Sequence, residues 1–312
     1  MPMCAYDREL RVEMAGQHEP SPRPEDAREF PHLGLFMLPG GYVDACGTAH
    51  YEVELLPITG KVEEFLGSLP GSTTLAGATT GLLTRCVKRV GTIQDITPPL
   101  IADLLVGDRD YLVLRLREMT FGPRVDALVH CPNLACGKVM DLSFSIEDIT
   151  IERKPVLRRT FSIETDLYGV EFRLPTGAFQ EEAAQVSSAA IDFDRLLAGC
   201  VTQIGESTDV DATAIRALPI ETRSRIEGAI QRLAPVLEIE FEAECPECGR
   251  AFLFPVDFTR FFFDQMKTNL RDLELEIHFL AKNYHWAESE ILAMTRKKRK
   301  RYVSLLRQEM EL

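Results

Sequence analysis

The feature that most constrains this chain is a spacing that occurs twice. Cys131 follows Cys86 by 45 residues (131 − 86), and Cys245 follows Cys200 by the same 45 (245 − 200). The flanking strings match as well. LLTRCVKRVG (82–91) resembles LLAGCVTQIG (196–205), LPITGKVEE (56–64) resembles LPTGAFQEE (174–182), and CPNLACG (131–137) resembles CPECG (245–249). Landmarks in one order, with a period above about 100 residues, predict two copies of a domain-sized unit; solenoid repeats are roughly 20–50 residues long.

Each copy reads the same way. A strand leads into the Leu-Pro turn, and a helix then ends at the LLxxC string. A second helix follows, over 101–119 in the first copy and about 214–233 in the second, where Pro219 suits a first helical turn. Alternating strands enter and leave each cysteine pair: VDALVHCP and VMDLSFSI, then LEIEFEAECP and AFLFPVDF. The string Leu56-Pro57-Ile58-Thr59-Gly60 spells a sortase-recognition pentapeptide, but its early place in the chain favours a turn, with Pro presetting φ and Gly permitting positive φ.

The predicted fold is α+β. Two duplicated lobes, 33–150 and 151–257, are joined by a shared Cys4 zinc ribbon. A polar, proline-bearing tail (1–32) precedes them, and a helical extension (258–312) follows, in which Phe262, Met266, Leu270, Leu273, Ile277 and Leu280 recur at helical spacing.

Cys131, Cys136, Cys245 and Cys248 are the candidate ligands of one structural zinc, because such sites are assembled from two turns that each offer two thiolates. Reduced unliganded thiols, a disulfide within each hairpin, or iron in place of zinc are the alternatives. The first pair is spaced more widely than the second. Cys86 and Cys200, in apolar helix ends, read as small core residues, and Cys4 and Cys46 fit no pattern.

Nothing points to catalysis: no HExxH, GxSxG, phosphate loop or dinucleotide fingerprint occurs, and His130 beside Cys131 reads as a surface or second-layer residue. Thirty-five Lys and Arg stand against 48 Asp and Glu, a net charge of −13, which argues against a general nucleic-acid binder. No apolar run is long enough to span a bilayer and no basic-then-apolar leader opens the chain, so a cytoplasmic protein is expected, without membrane contact or small-molecule substrate. The run Arg296, Lys297, Lys298, Arg299, Lys300 and Arg301 is a candidate partner contact, a solvated helix face, or a partner for the chain's own carboxylates. Trp286 is either a helix-packing anchor or an interface residue.

The string LLVGDRDYLVLRLREMTFG (104–122), followed by CPNLACG, resembles the baseplate proteins of contractile tails. The group is the T-even-type baseplate hub assembly proteins and their relatives in phage-like contractile injection systems. FRLPTG (172–177) is similar to a segment of the same proteins, and HWAESEIL (285–292) with the basic run resembles the C-terminal part of phage tail assembly chaperones. The resemblance implies a non-enzymatic role in building the baseplate hub, partners among hub, spike or tape-measure proteins, and the four cysteines as metal ligands. It also implies a place in a phage or injection-system particle. A stand-alone zinc-ribbon module that binds nucleic acid or acts as an adaptor is the competing reading.

Overall fold

In a computed structural model, residues 34–149, 151–165, 168–185, 193–237 and 240–310 are described. The polar tail expected at 1–32 lies outside them. Strands β1 (Gly34–Val43) and β2 (Ala49–Leu55) pair antiparallel, from Gly34↔Leu55 to Val43↔Ala49. The turn between them is tied by Asp44, whose carboxylate accepts from the Cys46 and Thr48 amides at 2.9 Å each.

One helix was expected between the Leu-Pro turn and Cys86. There are two, α1 (Gly60–Ser68) and α2 (Leu75–Cys86). Leu69 precedes Pro70 and leaves the helix at ψ 132, because proline's ring excludes the α region for the residue before it. A short strand, β3 (Val87–Val90), follows and pairs with β2. The second expected helix is likewise split, into α3 (Pro98–Ala102) and α4 (Val106–Phe121), because Leu105 is extended (φ −62, ψ 147) and pairs with Thr176 far along the chain. Tertiary pairing overrides helical periodicity here. Hairpin β4 (Arg124–His130) and β5 (Val139–Ser145) ends this half.

The other half runs β6 (Phe161–Glu164), β7 (Gly169–Phe172), α5 (Gly177–Gln185), α6 (Phe193–Cys200), β8 (Val201–Ile204), α7 (Ala212–Ala217), α8 (Ile220–Leu233), β9 (Glu240–Glu244) and β10 (Ala251–Pro255). Its three-stranded sheet has the order β6-β7-β8, and the other has β1-β2-β3. The register slips once between the second and third strand in each, at Glu54/Leu55 and at Glu171/Phe172. Gly91 (φ +55) and Gly205 (φ +57) turn the chain after the third strand, in a left-handed conformation open to glycine. The fold is thus mixed, with small antiparallel sheets. Cys86 and Cys200 close α2 and α6 and are buried, as their apolar setting predicted.

The chain ends in α9 (Phe258–Tyr284), α10 (Glu288–Leu292) and α11 (Arg296–Met310). Asp257 caps α9 by accepting from the Arg260 amide at 2.9 Å, and His285 ends it in the left-handed region (φ 57). These helices are no detached appendage. Phe262, Phe263 and Met266 complete the core made by Val53, Leu55, Leu82, Leu83, Leu112 and Leu116. Burial of three such side chains contributes roughly 1.5–3 kcal/mol each. The remaining turns fold back, where Leu280, Ile291, Val303 and Leu306 form a small core of their own.

Candidate metal centre

Both cysteine pairs sit at hairpin tips, and packing between the hairpins brings the tips together. β4 and β5 pair from Arg124↔Ser145 to His130↔Val139, and β9 and β10 pair from Glu240↔Pro255 to Glu244↔Ala251. Period-2 alternation buries Val125, Ala127 and Val129 on one face of β4. That face meets the second hairpin through Phe144 and Phe241, whose ring centroids are 4.0 Å apart, with Phe258 edge-on to Phe144 at 5.9 Å.

The tips have related backbones. The Cys131 amide donates to the Lys138 carbonyl at 2.9 Å, and the Cys245 amide to the Arg250 carbonyl at 3.0 Å. Gly137 (φ +55) and Gly249 (φ +66) then turn each chain away. The four sulfurs converge within 4.8 Å of one another. Cys131 Sγ lies 3.7 Å from Cys248 Sγ, and Cys136 Sγ lies 3.8 Å from Cys245 Sγ, so the close pairs run between hairpins. Four thiolates about 2.3 Å from a tetrahedral ion would stand about 3.8 Å apart. All four are free thiols, and neither hairpin closes a disulfide. The longer first loop still delivers its second sulfur, because the Asn133 carbonyl accepts from the Cys136 amide at 2.8 Å and folds the extra residues into the turn.

Without an ion, burial pushes the Cys131 thiol up to about 12. The Arg250 backbone, hydrogen-bonded to Cys248, holds that thiol down to about 7. Only a cation could keep four such close sulfurs charged together, so this cluster can hold a metal ion. Cys245 is fully buried, Cys136 half-buried and Cys248 exposed. His130 adjoins Cys131 but is not part of the cluster.

The other sequence candidates lie apart from the metal centre, in the C-terminal helices. Trp286 stacks on Tyr284 at 4.4 Å and meets Tyr302 edge-on at 4.9 Å, as a packing anchor would. The basic run is not one solvated face. Arg299 is fully buried: its guanidinium reaches Glu63 at 2.6 Å, Glu276 at 2.9 Å and the Met294 carbonyl at 2.9 Å. Arg296 is buried too, 3.9 Å from both Glu63 and Asp272, with Phe121 beneath it. Lys297, Lys298 and Arg301 are exposed, and Lys300 is half-buried. Helical geometry explains the division, since 296, 299, 303 and 306 share the inward stripe.

Sequence reasoning missed a set of buried charges. Asp108 accepts from the Gly40 and Gly41 amides at 2.7 and 2.9 Å, and burial pushes its carboxyl up to about 7. Arg109 donates to the Ala76 carbonyl at 2.8 Å and lies 3.8 Å from Glu181. The string LLVGDRDYLVLRLREMTFG gave no role to its charged residues. The Gly40-Gly41 pair, which lets the backbone approach a carboxylate, was the available signal.

Among the described residues, no helix is long and apolar enough to cross a membrane. A family model described as T4 bacteriophage base plate protein matches residues 49–263, more than half of the chain. No curated protein and no solved structure matches the chain significantly.

Proposed function

Given that the chain belongs to the T4 bacteriophage base plate protein family, we propose that it is a non-enzymatic assembly factor or structural component of the baseplate hub. The setting is a contractile phage tail or a related injection system. The match over residues 49–263 carries this reading. It spans β2 and β3 of the first sheet, the whole of the second and both cysteine tips, so it covers a shared framework and not one short motif.

In this reading zinc fills the four-cysteine cluster, one ion per chain. Four thiolates leave no open coordination position, so the ion is structural. It fastens the two halves of the chain at their hairpin tips, beside the aromatic layer around Phe144 and Phe241. The halves, 33–150 and 151–257, are copies of one unit. Shared strand order, the matching register slips and the paired glycines 91 and 205 support this. The third region, 258–312, completes the first copy's core. Partners are hub, spike or tape-measure proteins, met in part through Trp286 and the outward residues Lys297, Lys298, Lys300 and Arg301.

The test is removal of the gene from a producing strain, followed by electron microscopy of the particles. Loss of assembled baseplates, restored by the wild-type gene and not by one encoding Cys245→Ser, is expected. Complete baseplates in its absence would overturn the proposal.

A further inference from the structure

Three segments share one local design. Ile101, Ile215 and Ile291 are fully buried, and each is followed eight residues later by an arginine: Arg109, Arg223 and Arg299. Each isoleucine lies in a short helix (α3, α7, α10), the chain breaks, and a longer helix (α4, α8, α11) carries the arginine in its first turn or just beyond. At two of these breaks an incoming strand residue is paired. Leu105 bridges Thr176, and Thr295 bridges Thr59.

The incoming residue is in both cases the threonine of a Thr-Gly step that opens a helix. The Gly177 amide donates to the Leu104 carbonyl at 3.0 Å, and the Val106 amide donates to the Pro175 carbonyl at 3.1 Å. The Gly60 amide donates to the Met294 carbonyl at 3.1 Å. The arginine lies across the glycine: a Cβ on Gly177 would stand 1.3 Å from Arg109 Nη1, and one on Gly60 3.0 Å from Arg299 Nη1. It then meets a glutamate of the arriving helix, Glu181 at 3.8 Å or Glu63 at 2.6 Å. Only glycine leaves room for the guanidinium there.

The third socket, α7–α8, has the same parts without an occupant among the described residues. Pro219 takes the place of Leu105, extended at φ −52 and ψ 145. Proline costs nothing here, because the bridge uses the carbonyl before that residue and the amide after it. Neither the Leu218 carbonyl nor the Ile220 amide has a hydrogen-bond partner among the described residues. Ile220 is 65% exposed, whereas its counterpart Val106 is half-covered and Arg296 buried. Among the described residues, both Thr-Gly steps that open a helix are already seated in the other two sockets.

We propose that α7–α8 receives the Thr-Gly helix start of another polypeptide, in the manner that α3–α4 receives α5 and α10–α11 receives α1. Such a contact joins unlike surfaces head to tail, and the first copy's α1 is capped by α10–α11 so that the array ends there. The occupant differs from α5 in one respect. Thr80, six residues before Cys86, hydrogen-bonds Glu181 of the seated helix. Asp194, six residues before Cys200, takes that place and already pairs with Arg216 at 3.0 Å and Arg223 at 2.8 Å. The occupant therefore carries a neutral or basic residue four positions after its glycine. The socket geometry alone carries this inference, independently of the baseplate reading and of the metal.

The probe is a fluorescein-labelled peptide of residues 171–185 with Glu181→Lys, titrated with the full-length protein and followed by anisotropy. Saturable one-site binding is expected, weakened at least about tenfold, some 1.4 kcal/mol, by Ile220→Asp in the protein and by Gly177→Leu in the peptide. Ile220 is exposed, so an unchanged melting temperature will show that the variant folds. Three results would overturn the proposal: no saturation up to millimolar protein, equal affinity for the Ile220→Asp protein, or displacement of the probe by a peptide of residues 10–33 of this chain.

Discussion

The helix pairs α3–α4 and α7–α8 share their spacing yet differ in what rests on them. On the first, α5 covers Leu105 and Val106, and Arg109 is sealed at 1% side-chain exposure. On the second, Pro219 and Ile220 face solvent, and Arg223 keeps 30% exposure beside Asp194. The backbone design is common to both, and the difference lies in the surroundings. An arginine that must be desolvated is tolerable where a seated helix supplies a carboxylate, and a local aspartate serves where none is seated. The comparison separates residues that hold this chain together from residues available to a neighbour.

Substitutions should widen or erase that contrast. The largest effect is expected at the α10–α11 socket, whose arginine is fully buried. Arg299→Met leaves Glu63 and Glu276 without their cation, and breaking such a buried pair costs about 3–5 kcal/mol. Thermal unfolding should show a fall in Tm of about 10 °C or more, at roughly 2–4 °C per kcal/mol. A fall of under about 2 °C would show that the C-terminal helices are held by their apolar stripe alone.

Next comes Gly177→Leu, which drives a side chain into Arg109 and should unseat α5 at a cost of about 3 kcal/mol. Limited proteolysis should then cut within α5 (Gly177–Gln185) faster than in wild type. Unchanged cleavage and Tm would mean that α5 has another anchor.

Asp108 gives the contrast a pH dependence. Its carboxyl is raised to about 7 in the folded chain from an ordinary value near 3.8, by burial. The folded state then holds a proton that the unfolded state has lost, so stability is fully present below about pH 4 and falls as pH rises through about 7. Three units correspond to about 4 kcal/mol. Asp108→Asn should flatten that fall. Thr222, at the matching position of the α7–α8 socket, cannot titrate, so Thr222→Val should leave the pH profile unchanged in shape. Parallel pH profiles for wild type and Asp108→Asn would refute the assignment. The smallest effect is expected from Arg223→Met, within about 1 kcal/mol, because its pair is partly exposed.

Much of this was legible beforehand. The cysteine spacing placed two hairpin tips, and alternation in VDALVHC and FEAEC placed the strands beside them. Cys86 and Cys200 read correctly as core. The breaks in the helices were harder. Pro70 gave one away, but Leu105 is extended where Thr176 pairs with it, and no local signal encodes a partner 71 residues distant (176 − 105). The four-residue strands β3 and β8 were hidden for the same reason, since VKRV and VTQI are too short to show a period. The basic run looked uniform as a string. Helical geometry and the carboxylates of Glu63 and Glu276 divide it, and those lie 236 and 23 residues from Arg299.

The central claim is that one metal ion fastens the two halves of this chain. Elemental analysis of the untagged, freshly reduced protein tests it most directly, with Cys245→Ser measured beside it. The account predicts about one zinc per chain, absent from the variant together with several kcal/mol of stability. Wild-type protein that holds no metal, or a Cys245→Ser variant that melts where the wild type does, would contradict it.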